Sequence, residues 1–534
     1  MTRVRGRTPG STVLDAARRR RDLDDVANGA EIDVLVVGGG ITGAGVALDA
    51  AFRGLRTVLV ERGDLASGTS GWSSKLVHGG LRYLASGQIG IAHESAAERH
   101  LLMTRIAPHL TRPLAQVLPL HGPDARSRGA LVGAGFALGD ALRRGVGTPT
   151  ALLPAPSPLS ATAVRALAPA VRVEGLRHGG GGIAGIRGWD GQLVDDARLV
   201  VAVARTAAGF GARILTRVAA EHLRGDGADL RDVVTGATFT VRARAVVNAT
   251  GVWAGSLTAA VALEPSRGTH LVVDTARLGG ADVSITALVP GTRSRFVFSV
   301  PALHGRSYIG LTDVAADEIT DHPRADDAEI DFLLDIFNTV LAEPLTRADV
   351  RGTFSGLRPL LRSTRGGDGE TADLSRRHAV IEDDEGVLNV VGGKLTTYRR
   401  MAQDGVDAAV RRRALPTARP SVTADLPLVG AWPRARSWEI PAAARLVRRY
   451  GAEASFVARL GEGRGEDRAA DAAPAARGVT PAELEWGVRV EGALSVADLL
   501  QRRTRLGLVA ADAEASLPAA LAAFARSGVE PVAD

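Results

Sequence analysis

The chain has 534 residues, of which 45% are hydrophobic, and a formal net charge of +6. This size and composition allow two or three domains and exclude an intrinsically disordered protein. Cysteine is absent, which excludes disulfides, thiolate metal sites and a cysteine nucleophile, and the modest positive charge suits an anionic substrate or membrane surface rather than indicating nucleic acid.

The N-terminal 30 residues are polar. Arg18–Arg21 is followed at once by acidic residues, and the apolar core of a signal peptide does not come after them. We therefore expect residues 1–30 to form a flexible tail. Since the sequence has no apolar run of about 18 residues, we predict no membrane-spanning helix. We expect a cytoplasmic protein, or one bound peripherally to the inner face of the cell membrane.

Residues 32–61 have the pattern of a dinucleotide-binding β-α-β unit. Val34–Val37 is typical of a buried parallel strand, and Thr57–Val60 predicts a second strand that ends at Glu61. Glycines at G-x-G-x-x-G spacing let backbone N–H groups approach a pyrophosphate at a helix N-terminus, and the acid can accept hydrogen bonds from ribose hydroxyls. These glycines are Gly38, Gly40 and Gly43.

A stretch rich in Ser, Thr and Gly follows at residues 64–87. Hydroxyls and amides in such a loop suit the phosphates and ring of a cofactor, so we expect it to form a lid over the cofactor. A solvated loop is the alternative. Charge and hydrogen-bond donors come from Lys75, His78, Arg82 and Tyr83.

Later segments predict more of the same architecture. Residues 194–216 predict a helix and a strand of the dinucleotide-binding domain, and residues 243–255 predict a strand that ends in Ala-Thr-Gly, where small residues permit close approach of a cofactor. Alternating apolar residues from 269 to 313 suit an antiparallel sheet, a common substrate platform. Residues 387–410 predict a buried strand, a Gly-Gly break and an amphipathic helix.

Several motifs resemble, in their order, those of the FAD-dependent glycerol-3-phosphate dehydrogenases. They are VVGGGITGAGVALDAAFRGL, SSKLVHGGLRYL, DDARLV, VNATGVW, LTDV, SGLRPL, GGKLTTYR and, at 482–508, AELEWGVRVEGALSVADLLQRRTRLGL. The resemblance covers residues 31–510 and departs from the family at Val490, where His is common. It implies FAD as cofactor, oxidation of sn-glycerol 3-phosphate to dihydroxyacetone phosphate, and a membrane quinone as electron acceptor; a homodimer stays open.

The resemblance also implies a fold of the D-amino-acid-oxidase type. We predict an α/β protein with a Rossmann-type FAD-binding domain, an inserted α+β substrate domain built on an antiparallel sheet, and a C-terminal α-helical domain. The expected divisions are a tail at 1–30, the FAD-binding domain at 31–110, 191–260 and 350–412, the substrate domain at 111–190 and 261–349, and the helical domain at 413–534.

Candidate substrate residues follow from motif position. Arginine suits a phosphate dianion because its planar fork donates two parallel hydrogen bonds. The substrate-binding candidates are Arg82, Tyr83, Arg358 and Arg376. A structural ion pair is the alternative for each arginine, and Arg377 is the alternative to Arg376.

We expect His270, Arg358 and Lys394 to be catalytic. His270 matches a family active-site histidine, and its ordinary pKa of about 6.5 suits a base at neutral pH; His78 is the competing candidate. Lys394 would place an ammonium near the negative charge of reduced flavin. Apart from Lys75, it is the only lysine in a chain with 65 Lys and Arg residues, which suggests that both positions need an ammonium.

The expected FAD contacts lie in the glycine turn, the lid loop and two later turns. They are Gly38, Gly39, Gly40, Thr42, Gly43, Glu61, Thr69, Ser70, Ser74, Lys75, Leu76, His78, Gly79, Gly80, Val218, Ala249, Thr250, Gly251, Gly393, Lys394, Leu395 and Thr396. We predict no metal site.

Three other functions compete. An oxygen-using glycerol-3-phosphate oxidase would share these motifs. A nicotinamide enzyme fits the first motif alone, although Glu61 and the GGKLTTY segment favour FAD. An RNA-modifying flavoprotein fits the high isoelectric point, but the arginines are spread along the chain and aromatic residues make up only 4%; we therefore expect no nucleic-acid partner.

A quinone acceptor would require contact with the bilayer surface. The best candidate is residues 129–144, where Leu131, Val132, Phe136, Leu138 and Leu142 offer apolar area. Arg143 and Arg144 could meet anionic headgroups. The alternative is that this face packs inside the substrate domain.

Overall fold

The computed structural model describes residues 10–80, 87–121, 125–176, 182–292, 295–362, 378–415, 418–462 and 475–533. The helices are α1 (Ala16–Ala27), α2 (Ile41–Phe52), α3 (Ile89–Leu101), α4 (Ala125–Gly145), α5 (Ala161–Leu167), α6 (Asp196–Gly209), α7 (Ala254–Leu257), α8 (Asp327–Asn338), α9 (Tyr398–Arg412), α10 (Ala444–Tyr450), α11 (Ala454–Glu462), α12 (Pro481–Arg489) and α13 (Ala510–Ser527). The strands are β1 (Val34–Val37), β2 (Thr57–Glu61), β3 (Leu76–Val77), β4 (Thr111–Pro119), β5 (Ser157–Leu159), β6 (Gly185–Leu193), β7 (Arg213–Thr216), β8 (Val218–Arg224), β9 (Gly227–Asp232), β10 (Thr238–Arg242), β11 (Ala245–Asn248), β12 (Leu263–Asp274), β13 (Ser284–Leu288), β14 (Phe296–Pro301), β15 (Arg306–Gly310), β16 (Val314–Ala315), β17 (Val350–Leu361), β18 (His378–Glu382) and β19 (Leu388–Gly392).

The predicted β-α-β unit is confirmed as β1, α2 and β2. It forms the centre of a sheet with the order β18-β19-β11-β1-β2-β7. Strands β1, β2, β7, β11 and β19 run parallel, and the edge strand β18 runs antiparallel to β19. Every residue of β1 is buried, which explains its continuous apolar run, because strands covered on both faces do not alternate. Helix α2 packs between α6 and α9 against this sheet.

The predicted substrate platform is a second, mostly antiparallel sheet. Its order is β16-β12-β15-β14-β13-β4-β6-β3, with β17 also paired to β12 and β5 to β6. Helix α8 packs on it through Leu333 and Phe337, which belong to the core of this half of the molecule. Strands β8, β9 and β10 form a small separate sheet.

The predicted domain boundary at residue 350 is wrong for β17. Residues 350–361 were expected in the FAD-binding domain, but they pair antiparallel with β12 from Leu263 to Val273. The sequence of these twelve residues is compatible with either sheet, and only the long-range pairing decides which one they join.

The expected flexible tail is also wrong for residues 10–30. Helix α1 begins after Asp15, whose carboxylate accepts the N–H of Arg18 at 2.6 Å. Arg19 reaches across to β7, where its Nε donates to the Thr216 carbonyl at 2.7 Å, and it pairs with Asp232. The arginine run made this segment polar in sequence, but in the structure its Arg19 anchors the helix to β7. Residues 1–9 lie outside the described part of the chain.

The C-terminal segment is helical as expected. A capping box between Thr480 and Glu483 starts α12, and α12 and α13 share a core that includes Leu484 and Phe524. Buried ion pairs join this part to the FAD-binding half, among them Arg503 with Asp64 at 2.6 Å. None of the helices in the described ranges combines the length and the hydropathy that crossing a bilayer requires.

Candidate active site

A cavity of about 1540 Å³ lies between the parallel sheet and the antiparallel sheet. The carboxyl ends of β1 and β2 line it on one side, at the place where α/β sheets bind ligands. His270 on β12 and Arg358 on β17 line it on the other side. The cavity therefore joins the predicted cofactor turn to two predicted catalytic residues.

The glycine turn requires its glycines. Gly38 has φ +111°, and a Cβ there would lie 2.6 Å from the Ala249 carbonyl oxygen. A Cβ on Gly43 would overlap the carbonyl oxygen of Gly38. Gly40 at the N-cap of α2, together with Ile41 and Thr42, lines the cavity. This places the positive end of the helix dipole where a pyrophosphate can bind.

Glu61 closes the same turn. Its Oε2 accepts the N–H of Gly39 at 2.6 Å and its Oε1 accepts the N–H of Gly63 at 2.7 Å. Burial raises the pKa of the carboxyl, while the two backbone donors act in the opposite direction. The side chain lines the cavity, so the carboxylate lies at the tip of β2 as expected.

The lid loop is tied to both halves of the molecule. Ser70 Oγ accepts the N–H of Ile41 at the start of α2 at 2.9 Å, and Thr69 Oγ1 donates to the Leu357 carbonyl of β17 at 2.6 Å. Several predicted contacts in this loop line the cavity, namely Thr69, Ser70, Ser74, Leu76 and His78. Gly79 and Gly80 do not line it; they permit close packing against α3, on Arg99 and Ala92 respectively.

His270 is buried, with 2% of its surface exposed. Its Nε2 is 2.9 Å from Ser74 Oγ, and its ring stacks on Phe354 with centroids 4.6 Å apart. The Nδ1 atom has no hydrogen-bond partner among the described residues. Burial first, and then the positive charges of Lys75 and Arg358, lower the pKa of the imidazole well below its ordinary value. The lowered pKa favours the neutral ring at pH 7, so one imidazole nitrogen carries no proton and can accept one.

Arg358 is held in a fixed orientation at the cavity wall. Its Nη1 donates to Ser266 Oγ and to Asp313 Oδ1, both at 2.9 Å, and its Nη2 donates to the Thr312 carbonyl at 3.0 Å. The structural ion pair considered for this residue is therefore present. Orientation by Asp313 does not exclude phosphate binding, since Arg358 also lines the cavity.

The turn after β19 forms the floor of the cavity. Gly392 and Gly393 have φ of +75° and +71°, and this left-handed backbone leads the chain into α9. Lys394 Nζ donates to Ser95 Oγ on α3 at 2.9 Å. Gly393, Lys394, Leu395 and Thr396 all line the cavity.

The strand end after β11 lies close to this turn. Asn248 accepts the N–H and hydroxyl of Thr250 at 3.2 and 2.7 Å, and its amide donates to Asn389 on β19 at 2.8 Å. This bridge holds two strand ends together, and the predicted contacts Ala249, Thr250, Gly251 and Val218 line the cavity.

The prediction that Lys75 contacts the cofactor needs correcting. Lys75 does not line the cavity; its ammonium donates to Asp196 at 2.9 Å and to the Ser73 carbonyl at 2.8 Å. The side chain is buried, and burial lowers the pKa of the ammonium. Lys75 is therefore the partner of a buried carboxylate. This role could not be seen in the sequence, because Asp196 lies 121 residues away along the chain.

The C-terminal part contributes cavity residues that the sequence reasoning missed. Gln501 and Arg502 line the cavity, and Arg502 pairs with Asp64 at 2.6 Å. Arg217, with φ +58°, also lines it and pairs with Asp498 at 2.9 Å. In the motif AELEWGVRVEGALSVADLLQRRTRLGL, the consecutive arginines were a signal that could have indicated these contacts. Three predicted substrate residues, Arg82, Tyr83 and Arg376, lie outside the described residues, as does the alternative Arg377.

These residues fit a flavin dinucleotide. Small ligands usually occupy sites of roughly 300–1000 Å³, and this cavity is larger. Its wall combines a helix N-terminus for phosphate, a carboxylate for ribose and the ammonium of Lys394. In the described ranges no group of three or more His, Asp or Glu side chains is placed to hold a metal ion.

Comparisons with known proteins agree with this reading. Residues 33–399 match the family of FAD dependent oxidoreductases, and residues 421–527 match the C-terminal domain of alpha-glycerophosphate oxidase. Glycerol-3-phosphate dehydrogenase 1 of Mycobacterium tuberculosis is 50% identical, over 95% of this chain and 97% of that protein. The crystal structure of glycerol-3-phosphate dehydrogenase from Bacillus halodurans, complexed with FAD, has a TM-score of 0.72 and 27% identity, over 97% of this chain and 94% of that one.

Proposed function

Since the chain belongs to the family of FAD dependent oxidoreductases, we propose that it oxidises sn-glycerol 3-phosphate to dihydroxyacetone phosphate and passes the electrons to a membrane quinone. Relatives named glycerol-3-phosphate dehydrogenase match nearly the whole chain. The observation that carries the proposal is that one cavity brings together the dinucleotide turn, His270 and Arg358.

The reaction removes a hydride from the substrate carbon and a proton from its hydroxyl, leaving a carbonyl. FAD, when bound, supplies the acceptor for the hydride. His270 takes the proton, because burial keeps the ring neutral and the hydrogen bond between Nε2 and Ser74 orients it. Arg358 binds the phosphate through a charge-assisted fork that Asp313 has already oriented.

Lys394 stabilises negative charge that develops in the cavity. Its ammonium is positioned by Ser95, and the turn that carries it is fixed by two glycines with positive φ. Preoriented charge in a site shielded from water is worth more than the same charge in bulk solvent.

The experiment that tests the proposal compares electron acceptors. Purified protein is supplied with sn-glycerol 3-phosphate and either an artificial dye, a soluble quinone or oxygen. We expect dye and quinone reduction under nitrogen and little hydrogen peroxide in air. Stoichiometric peroxide production would instead support the oxygen-using oxidase, and inertness toward this substrate would overturn the proposal.

Arg358→Ala is expected to weaken turnover of glycerol 3-phosphate far more than that of glycerol. Loss of a buried charge-assisted phosphate contact costs about 2–5 kcal/mol, or roughly 30- to 5000-fold in kcat/KM. The measurement is the ratio of kcat/KM for the two substrates. Asp313→Asn is the matched control, since it removes the partner of Arg358 but keeps the guanidinium. Equal losses on both substrates for Arg358→Ala would mean that the arginine is structural.

Contact with a bilayer is proposed to occur at α4, which forms part of the cavity rim. Leu131 and Leu138 are 56% and 49% exposed and line the cavity. Two expectations for this helix are wrong. Phe136 packs against Gly188 of β6, and Arg143 is buried, with its Nε bonded to Asp140 at 2.6 Å, because the inward face of α4 is needed to cover the sheet.

A Leu131→Asp, Leu138→Asp double variant is expected to lose binding to vesicles of anionic lipid while keeping dye-linked activity. Burial of two leucines supplies most of the attraction, since one exposed arginine near such a surface adds only about 1 kcal/mol. Co-sedimentation measures the effect. The matched control is Leu517→Asp, Leu521→Asp on α13, where the leucines are 43% and 46% exposed. If both variants bind as the wild type does, α4 is not the contact.

A further inference from the structure

A buried group of charges lies directly behind His270. The Phe354 ring, on which His270 stacks, has the Lys75 ammonium 4.7 Å from its centroid. The ammonium is also 5.6 Å from the Tyr308 ring. Ser74, which is bonded to His270, is the residue before Lys75 in the chain. Movement of this ammonium would therefore displace both the ring under His270 and the hydroxyl bonded to it.

Lys75 belongs to a cluster of four charges, which we call the charge cluster. Its members are Lys75, Asp195, Asp196 and Arg505, all buried. Asp196 lies between the two cations: its Oδ2 accepts from Lys75 at 2.9 Å, and its Oδ1 pairs with Arg505. Arg505 Nε also bonds Asp195 Oδ1 at 3.0 Å. Two positive and two negative charges balance, which a buried site requires if ionised groups are to be stable there.

The cluster crosses a domain boundary. Asp195 and Asp196 start α6 of the FAD-binding half, with Asp195 accepting the N–H of Ala197 at 3.0 Å. Arg505 comes from the C-terminal part, where its backbone has φ +68°. Its side chain is almost completely enclosed, so the C-terminal part inserts one cation into a site where Lys75, Asp195 and Asp196 of the FAD-binding domain leave a net negative charge.

We propose that Lys75, Asp196 and Arg505 are positioning residues through which the C-terminal domain fixes the orientation and the neutral state of His270. This rests on the proposed function in one respect, the role of His270 as base. The inference goes further, because it gives the C-terminal part an indirect role in the chemistry of His270, in addition to the cavity residues Gln501 and Arg502.

The direction in which each variant shifts the pKa of His270 follows from the charge that the variant removes. Loss of either cation would leave a net negative charge behind His270 and favour the imidazolium. Loss of Asp196 would leave a net positive charge and disfavour it further. The other charged group that acts on His270 is Arg358 from β17. Tyr308 from β15 lies edge-on to Phe354, and Glu329 on α8 accepts from the neighbouring Thr269; none of them changes in these variants.

The test follows the imidazole directly. Holoenzyme with labelled histidine is titrated by NMR, and the signal of His270, one of 11 histidines, is identified by its loss in His270→Asn. We expect Lys75→Met and Arg505→Met each to raise the pKa of His270 by about one unit or more. The pH midpoint of the acid limb in the pH profile of kcat/KM should rise by the same amount. Asp196→Asn should not raise it, and Arg505→Lys should stay close to wild type.

Control variants distinguish an electrostatic effect on His270 from structural damage to the site. Arg205→Met breaks a partly buried bidentate pair with Glu453, also between α6 and the C-terminal part, and should leave the pKa of His270 unchanged. Loosening of the site would raise that pKa in Asp196→Asn and Arg205→Met as well, and such a result would overturn the proposal. So would an unchanged His270 signal in Lys75→Met. If Arg505→Met does not fold, the pKa of His270 in Lys75→Met and in Arg505→Lys still tests the proposal.

Failure of the proposed function would look different. If His270→Asn keeps wild-type turnover and the wild-type acid limb, His270 is not the base, while the NMR titration still tests the charge cluster. If His270→Asn abolishes turnover but the signal of His270 does not respond to Lys75 or Arg505, the base assignment stands and the cluster has no positioning role.

Discussion

His270→Asn lowers kcat on sn-glycerol 3-phosphate by roughly 10²- to 10⁴-fold, the usual contribution of a positioned general base. Asn keeps a polar side chain near Ser74 but cannot accept the proton. Because burial and two nearby cations lower the pKa of His270, the neutral base persists in acid. Activity of the wild type should therefore be lost only as pH falls through a value below the ordinary histidine range of about 6.5.

The measurement is the rate of flavin bleaching by substrate in single turnovers, taken across pH. His78→Asn is the matched control, since His78 also lines the cavity and is the competing candidate. A larger loss in His78→Asn than in His270→Asn would transfer the role of base to His78. An acid limb of the wild type well above the ordinary range would contradict the buried, neutral state of His270.

Gly43→Ala is expected to abolish retention of FAD. The added Cβ would overlap the Gly38 carbonyl oxygen, and because both atoms belong to backbone or are attached to it, no side chain can move to relieve the clash. Overpacking typically costs about 1–3 kcal/mol, and here the displaced atoms form the turn that holds the pyrophosphate. We expect the wild type to purify with non-covalent FAD and the variant to purify without flavin colour.

The control for this substitution is Gly145→Ala at the end of α4. A Cβ there meets nothing within 4 Å, and its backbone does not have positive φ. It should retain flavin as the wild type does, which shows that loss of colour reports on the turn and not on glycine replacement in general. If Gly43→Ala binds stoichiometric FAD after reconstitution, the turn is not the cofactor site.

Several features of this protein were predictable because they depend on residues close together in the chain. The β-α-β unit is one: its strands, glycines and terminal acid lie within 30 residues, and their periodicity and spacing carry the whole signal. The α/β class, the antiparallel sheet, the C-terminal helices and the family resemblance, with FAD as cofactor, are confirmed. The roles assigned to His270, Arg358 and Lys394 stay predictions, although the structure brings all three to one cavity.

Other features were decided by contacts between distant segments. The rarity of lysine singled out Lys75 correctly as unusual, but composition could not show that its partner is Asp196, or that Arg505 shares that carboxylate. In the same way, α1 is ordered because arginines of a polar segment reach β7, and β17 joins the substrate sheet because it pairs with β12. Local sequence determines which backbone conformations and faces a segment prefers. Only the tertiary structure determines which buried charge is neutralised by which, since that depends on desolvation and on geometry between segments hundreds of residues apart.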